Sequence, residues 1–317
     1  MDEERVAGLI EFVYTSERNP TADDFADVMG LQEAKTPEFA NLDEIAKLPV
    51  MCHLLRKFRM MGRVPQNQQD FVYNKLAALH VAAMVDRFLE PPPLPAGAGN
   101  DFVEDYKLNN VYVEVLGTIS HTPYFAKYLN SDLPAAQGGK QLMRTVAQRL
   151  VEVAPSWDQK MLIPQPRREP GYFESAAATA IQMLSTLLAF FTEEPQDSPI
   201  RISKELKDQV LPWLRKWERR HSRIFLGKVC ERTRSQLEGD MVVTAEAKLM
   251  RRMLLNLDRC GKRGCQSKSH LKVCSKCKTV RYITKRQTGS MPRDLTRTFA
   301  TALITDAVET PLYLLKK

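Results

Sequence analysis

Along most of the chain the apolar residues recur every three or four positions, and no convincing run alternates over the length of a strand, so the pattern predicts helices. After Pro49, which suits a first helical position because its missing N–H would be unpaired there anyway, Val50, Leu54, Phe58 and Met61 fall one turn apart. Gly62 then reads as a stop. Val72, Leu76, Leu79 and Ala83 make a second stripe on a segment running to Leu89. The proline-rich run from Pro91 to Gly99 cannot continue a helix and reads as a surface linker over 91–100. Further helices are expected at 103–120, 140–153 and 172–193, separated by Thr122-Pro123, by Asp132 to Pro134 and by the proline-rich run from Pro155 to Pro170.

From Ser203 the spacing predicts a long amphipathic helix, with Val210, Leu214, Trp217, His221 and Ile224 on its apolar side. Arg215, Lys216, Arg219, Arg220 and Arg223 form the other side, either solvated or docked on acidic surface from the first 200 residues. Pro212 should restart or kink this helix, and His221, beside Trp217, reads as a core histidine with its hydrogen bonds satisfied. A last helix spans Thr244 to Leu257. No fixed repeat period emerges, so a solenoid-like stack rests on helix content alone. The fold class expected is mainly α: an irregular multi-helix body over 1–258 with a small C-terminal zinc-finger-like module over 259–282 and a flexible tail over 283–317.

Composition changes this picture little. With 317 residues and 44% hydrophobic content the chain can bury a core without metal or disulfide. The most apolar stretch, Ser175 to Phe191, is shorter than the roughly twenty residues of a spanning helix and carries Thr179, Gln182, Ser185 and Thr186, so it reads as a core helix rather than a membrane one. The acidic start, Met1 to Arg5, has neither a secretory nor a transit-peptide pattern, which gives a cytoplasmic or nuclear setting as the expectation. In that reducing environment Cys52 and Cys230 read as core or surface thiols.

Charge changes it more. Residues 1–200 carry 18 Lys and Arg against 27 Asp and Glu, whereas residues 201–317 carry 28 against 11. From Arg259 to Arg293 there are eleven basic residues and no acidic one, a footprint for phosphate, for acidic protein, or for the acidic half of the same chain.

Inside that basic run lies the chain's most specific chemistry. Cys260, Cys265, Cys274 and Cys277 fall within eighteen residues, separated by Gly, Lys, Arg and Ser rather than by core-forming side chains. Zn²⁺ in a structural site takes four thiolate or imidazole ligands in a tetrahedron, about 2.3 Å from each sulfur, and two short cysteine pairs supply that set. His270 is an alternative ligand, although an exposed loop histidine is the plainer reading. The segment Cys260 to Tyr282, and above all Cys274-Ser-Lys-Cys277-Lys-Thr-Val-Arg-Tyr282, resembles the MYND zinc finger. The family pattern continues with a cysteine directly after the tyrosine, where this chain has Ile283, and with another at the position of Gln287; no Cys or His occurs beyond Cys277. The resemblance implies interleaved ligand pairs and two zinc ions. With the second half missing, the expectation is at most one Zn²⁺ held by the four cysteines, in a truncated or alternatively spliced reading of such a finger.

No catalytic signature accompanies the cysteines. The SET-domain strings that some MYND proteins carry are absent, as are a phosphate-binding glycine loop, Gly-x-Ser-x-Gly, His-Glu-x-x-His and a dinucleotide fingerprint. His53, His80 and His121 form no motif. The reading is therefore not an enzyme but a zinc-binding protein-interaction adaptor, for which the resemblance implies proline-containing peptides in protein partners. The alternatives are a nucleic-acid-binding protein using residues 259–293, in which Tyr282 is the only aromatic available for stacking, or a truncated isoform without function.

Overall fold

The computed structural model describes residues 3–60, 65–131, 134–163, 169–191 and 198–255, together with 271–273 and 281–283. The described body is helical: α1 (Glu3–Thr15), α2 (Ala22–Met29), α3 (Glu44–Met60), α4 (Gln66–Leu89), α5 (Asn100–Tyr106), α6 (Val111–Ile119), α7 (Pro123–Leu129), α8 (Gln137–Lys160), α9 (Tyr172–Phe190), α10 (Lys204–Arg220), α11 (Phe225–Glu238) and α12 (Met241–Leu255). Two short strands, β1 (Leu271–Val273) and β2 (Arg281–Ile283), pair antiparallel in the C-terminal segment.

The helices stack in two ladders. In one, α4 packs on α8 and α8 on α10; in the other, α3 packs on α6, α6 on α9 and α9 on α11. Cross-contacts of α4 with α6, α8 with α9 and α10 with α11 close the ladders on each other, while α1 and α2 cover one end and α12 lies on α7, α9 and α11. Phe25, Phe58, Phe88, Tyr112, Phe125, Trp157, Phe190 and Trp217 fill the space between them, all fully buried. α9 is apolar and long enough to cross a membrane by composition, and it occupies the middle of this core, burying Phe173, Ala177, Ile181, Leu184, Leu187 and Phe190.

Local chemistry explains several boundaries. Thr21 and Asp24 form a capping box at the start of α2, and Gly30, in the left-handed region at φ 65°, ends it. The C-terminal carbonyls of three helices are met by cations from elsewhere in the stack, which satisfies acceptors the helix leaves orphaned and complements its dipole. Lys57 donates to Val13 O and Ser16 O at 2.6 Å, Arg87 to Met29 O and Gly30 O at 2.9 and 2.7 Å, and Arg149 to Phe88 O and Leu89 O at 2.6 and 2.8 Å.

Four expectations are corrected. α3 begins at Glu44, not after Pro49: the Asp43 carboxylate accepts the amides of Ile45 and Ala46, so the helix is capped six residues upstream and Pro49 lies inside it. Pro155 likewise lies inside α8, which runs well past 153. The 103–120 helix is two helices, because Asn110 accepts the amides of Tyr112 and Val113 and starts α6 afresh. The long helix from Ser203 passes through Pro212 without stopping but ends at Arg220, so His221 is its C-cap and Ile224, 40% exposed, precedes α11 instead of extending the stripe.

Candidate metal centre and its surroundings

Cys260, Cys265, Cys274, Cys277 and His270 lie outside the described residues, as do Gln287 and the rest of the tail. Described beside them are the strands on either side of the second cysteine pair. β1 and β2 pair with Leu271 opposite Ile283, Lys272 opposite Tyr282 and Val273 opposite Arg281. In sequence the two strands bracket residues 274–280, which include Cys274 and Cys277 and lie outside the described residues. Ile283, at the position where the pattern the segment resembles has its next cysteine, is the outer residue of β2.

The basic neighbourhood fits the same chemistry. A zinc ion with four thiolates carries net charge −2, and thiols next to Lys and Arg ionise more readily. No carboxylate competes for that positive charge within the segment: between Cys260 and Tyr282 all the charged side chains are Lys or Arg.

Elsewhere, no group of three or more His, Cys, Asp or Glu that could hold a metal occurs among the described residues. The two other cysteines are not ready thiolates. Cys230 is buried in α11 with its thiol pushed up by desolvation. Cys52 reaches solvent from α3, yet desolvation, and then the charge of Glu114, push its thiol up to about 12.

The histidines are dispersed. His53 Nδ1 lies 3.0 Å from Tyr14 Oη, and His121 stands edge-on to Tyr73 at 5.9 Å between ring centroids. The imidazoles of His53, His80, His121 and His221 are all shifted down, desolvation being the leading cause in each. His221 differs from the expectation of a satisfied core residue, since its buried Nε2 has no hydrogen-bond partner among the described residues.

On the basic side of α10, both expected fates occur. Lys216 and Arg220 reach the carboxylate of Asp158 on α8 at 2.7 and 2.8 Å, whereas Arg215 has neither fate and pairs with Glu238 on α11, outside the first 200 residues, at 2.7 Å. Arg219 and Arg223 stay exposed. Asp158 also accepts Trp217 Nε1 at 2.9 Å. Burial desolvates Asp158 and pushes it up, but the hydrogen bonds from Lys216 and Trp217 and the charge of Arg220 outweigh this and hold it below the ordinary carboxylate value. Sequence periodicity pointed to Trp217 as core; the polar anchor that its N–H requires lies 59 residues away and leaves no periodic trace. Compared with known proteins, the chain matches no family model, no curated protein and no solved structure.

Proposed function

We propose that the chain is a zinc-binding protein-interaction adaptor, in which the stacked helical body carries a C-terminal MYND-like finger holding one Zn²⁺ through Cys260, Cys265, Cys274 and Cys277. What supports this reading is the spacing of the four cysteines within one basic, acid-free segment, with the paired strands β1 and β2 bracketing Cys274 and Cys277 in sequence. Zinc would supply no reaction there; it would fix the two cysteine pairs together and so give a short, polar, basic segment one conformation it cannot reach by burying a core. The rest of the body, with its continuous apolar core, folds without it.

The adaptor role is tested by fluorescence anisotropy with labelled proline-containing peptides, titrated with the intact protein. Binding is expected to disappear on chelation of zinc and in Cys274→Ser, with helical circular dichroism retained. Peptide binding that survives both treatments would contradict a zinc-dependent recognition surface. Binding of duplex or single-stranded nucleic acid with a steep loss of affinity in salt, and no peptide binding, would favour the basic segment as a phosphate footprint instead.

A further inference from the structure

Four positions place a Ser or Thr directly before a proline: Thr36-Pro37, Thr122-Pro123, Ser198-Pro199 and Thr310-Pro311. Two of these hydroxyls are committed to the fold. Thr36 Oγ1 donates to Asp24 at 2.9 Å and accepts from Arg18 at 3.2 Å, while Thr122, 1% exposed, accepts the amide of Phe125 at the start of α7. Thr310 lies outside the described residues. Ser198 differs from all three in sequence, because only there is the third residue onward basic: Arg201, against Phe39, Phe125 and Tyr313.

Ser198 also differs in placement. It is half-buried between the end of α9 at Phe190 and the start of α10 at Lys204, where residues 198–203 form turns and extended backbone but no helix. Its Oγ accepts the Ile200 amide at a long 3.4 Å, and the neighbouring Pro199 is exposed. Facing this turn is Arg144 of α8, whose guanidinium donates to the carbonyl oxygen of Pro199. That fork of five donors has no carboxylate partner among the described residues.

A protein kinase binds its target as extended chain, and a kinase pocket that offers no acceptor for the next N–H selects proline, the residue without one. A basic residue two positions beyond the proline then pairs with anionic groups of the kinase. We propose that Ser198 is a phosphorylation site for a proline-directed serine/threonine kinase, read through Pro199 and Arg201, and that Arg144 receives the phosphate. In the transfer Ser198 Oγ attacks the γ-phosphorus of ATP, the bond from that phosphorus to the bridging oxygen breaks, ADP leaves with the electron pair, and the hydroxyl proton passes to the kinase's catalytic carboxylate. The product carries a charge of about −1.5 to −2 at neutral pH, one residue from the carbonyl that Arg144 already holds. A guanidinium binds a phosphate bidentately and more strongly than a neutral carbonyl, so the modification fastens the α9–α10 turn to α8.

The site is tested by incubating the full chain with a purified cyclin-dependent kinase and Mg-ATP and locating phosphate by tandem mass spectrometry. Phosphate is expected on Ser198 and not on Thr36 or Thr122. Ser198→Ala and Pro199→Ala should abolish it, and Arg201→Ala should slow incorporation about tenfold, the effect of one charge-assisted contact, with Arg201→Lys restoring it. Unchanged helical circular dichroism verifies the fold of each variant. No phosphate on Ser198, or equal incorporation in Pro199→Ala, would overturn the site. Hydrogen exchange over 198–203 tests the receiver: phosphate should slow it in the wild type and leave it unchanged in Arg144→Ala. Exchange that phosphate does not slow, or slows equally without Arg144, would overturn that assignment. Cys274→Ser should be phosphorylated as the wild type is, so failure of the zinc reading and failure of this one are separable.

Discussion

Trp217 of α10 donates its indole N–H to Asp158 of α8, and Asp158 directly follows Trp157, whose own indole donates to Asp105 of α5 at 2.8 Å. In each case a cation three residues after the tryptophan joins the same carboxylate: Lys160 reaches Asp105 at 3.0 Å and Arg220 reaches Asp158 at 2.8 Å. One device, Trp-x-x-Lys/Arg on an Asp, thus latches two successive steps of the stack. A buried indole must find an acceptor, and a buried carboxylate must be paired, so each satisfies the other's requirement.

Removing the second latch should be costly. Asp158→Ala leaves Trp217 Nε1 unpaired inside the core and two cations without their carboxylate, although Lys216 is 43% exposed and regains water. Discounting that pair for solvent screening, the loss expected is about 2–3 kcal/mol, read from the midpoint of urea unfolding. A midpoint shift worth under about 0.5 kcal/mol would mean that the latch is ornamental.

Stability should also fall in acid for a nameable reason. Asp158 and Asp24 both sit below the ordinary carboxylate value; Asp24 is desolvated, yet Arg18 at 2.5 Å and the hydroxyl groups of Thr21 and Thr36 favour its ionised form. The unfolded chain therefore binds protons on these groups more readily than the folded one. Their contribution is complete above the unfolded-state value and is lost as pH falls through the lower folded values. Melting temperature measured from neutral pH downward should hold until about pH 4–5 and then drop, less steeply in Asp158→Asn. An equal acid slope in that variant would assign the loss to other groups.

Two glycines should answer oppositely to alanine. At Gly227 a Cβ would lie 2.3 Å from His221 O and 2.8 Å from Ser222 Cα, both backbone atoms of the turn joining α10 to α11, so the turn must move. Gly227→Ala is expected to destabilise by about 1–3 kcal/mol. Gly8→Ala, in the open face of α1, should stabilise by about 0.5–1 kcal/mol through helix propensity. Thermal melts of the two variants check both signs.

Helical class was legible in the sequence because amphipathic spacing survives in α10, whose predicted core residues Val210, Leu214 and Trp217 are buried, and because the apolar stretch Ser175 to Phe191, expected as a core helix, forms most of α9. α4 shows where the pattern fails. Its expected stripe included Leu79 and Ala83, which are exposed; the buried face runs through Tyr73, Leu76, Ala77, Val81, Met84, Val85 and Phe88. α4 touches α2, α6, α7 and α8, so its buried arc is wide and single apolar positions do not fix its phase. Prolines misled for a related reason: Pro49, Pro155 and Pro212 all sit inside helices, where packing of both flanking turns offsets a cost of about 3 kcal/mol each. The capping box of Thr21 and Asp24 was a readable start signal for α2 that hydrophobic spacing passes over. Nor could spacing reveal the Trp–Asp latches, which join residues more than fifty positions apart.

The zinc assignment is tested most directly by elemental analysis of the full chain purified under reducing conditions. One zinc ion per chain is expected, falling to none in Cys274→Ser while the helical circular dichroism of the body persists. Two tightly bound ions per chain, or none in the wild-type protein, would contradict the account.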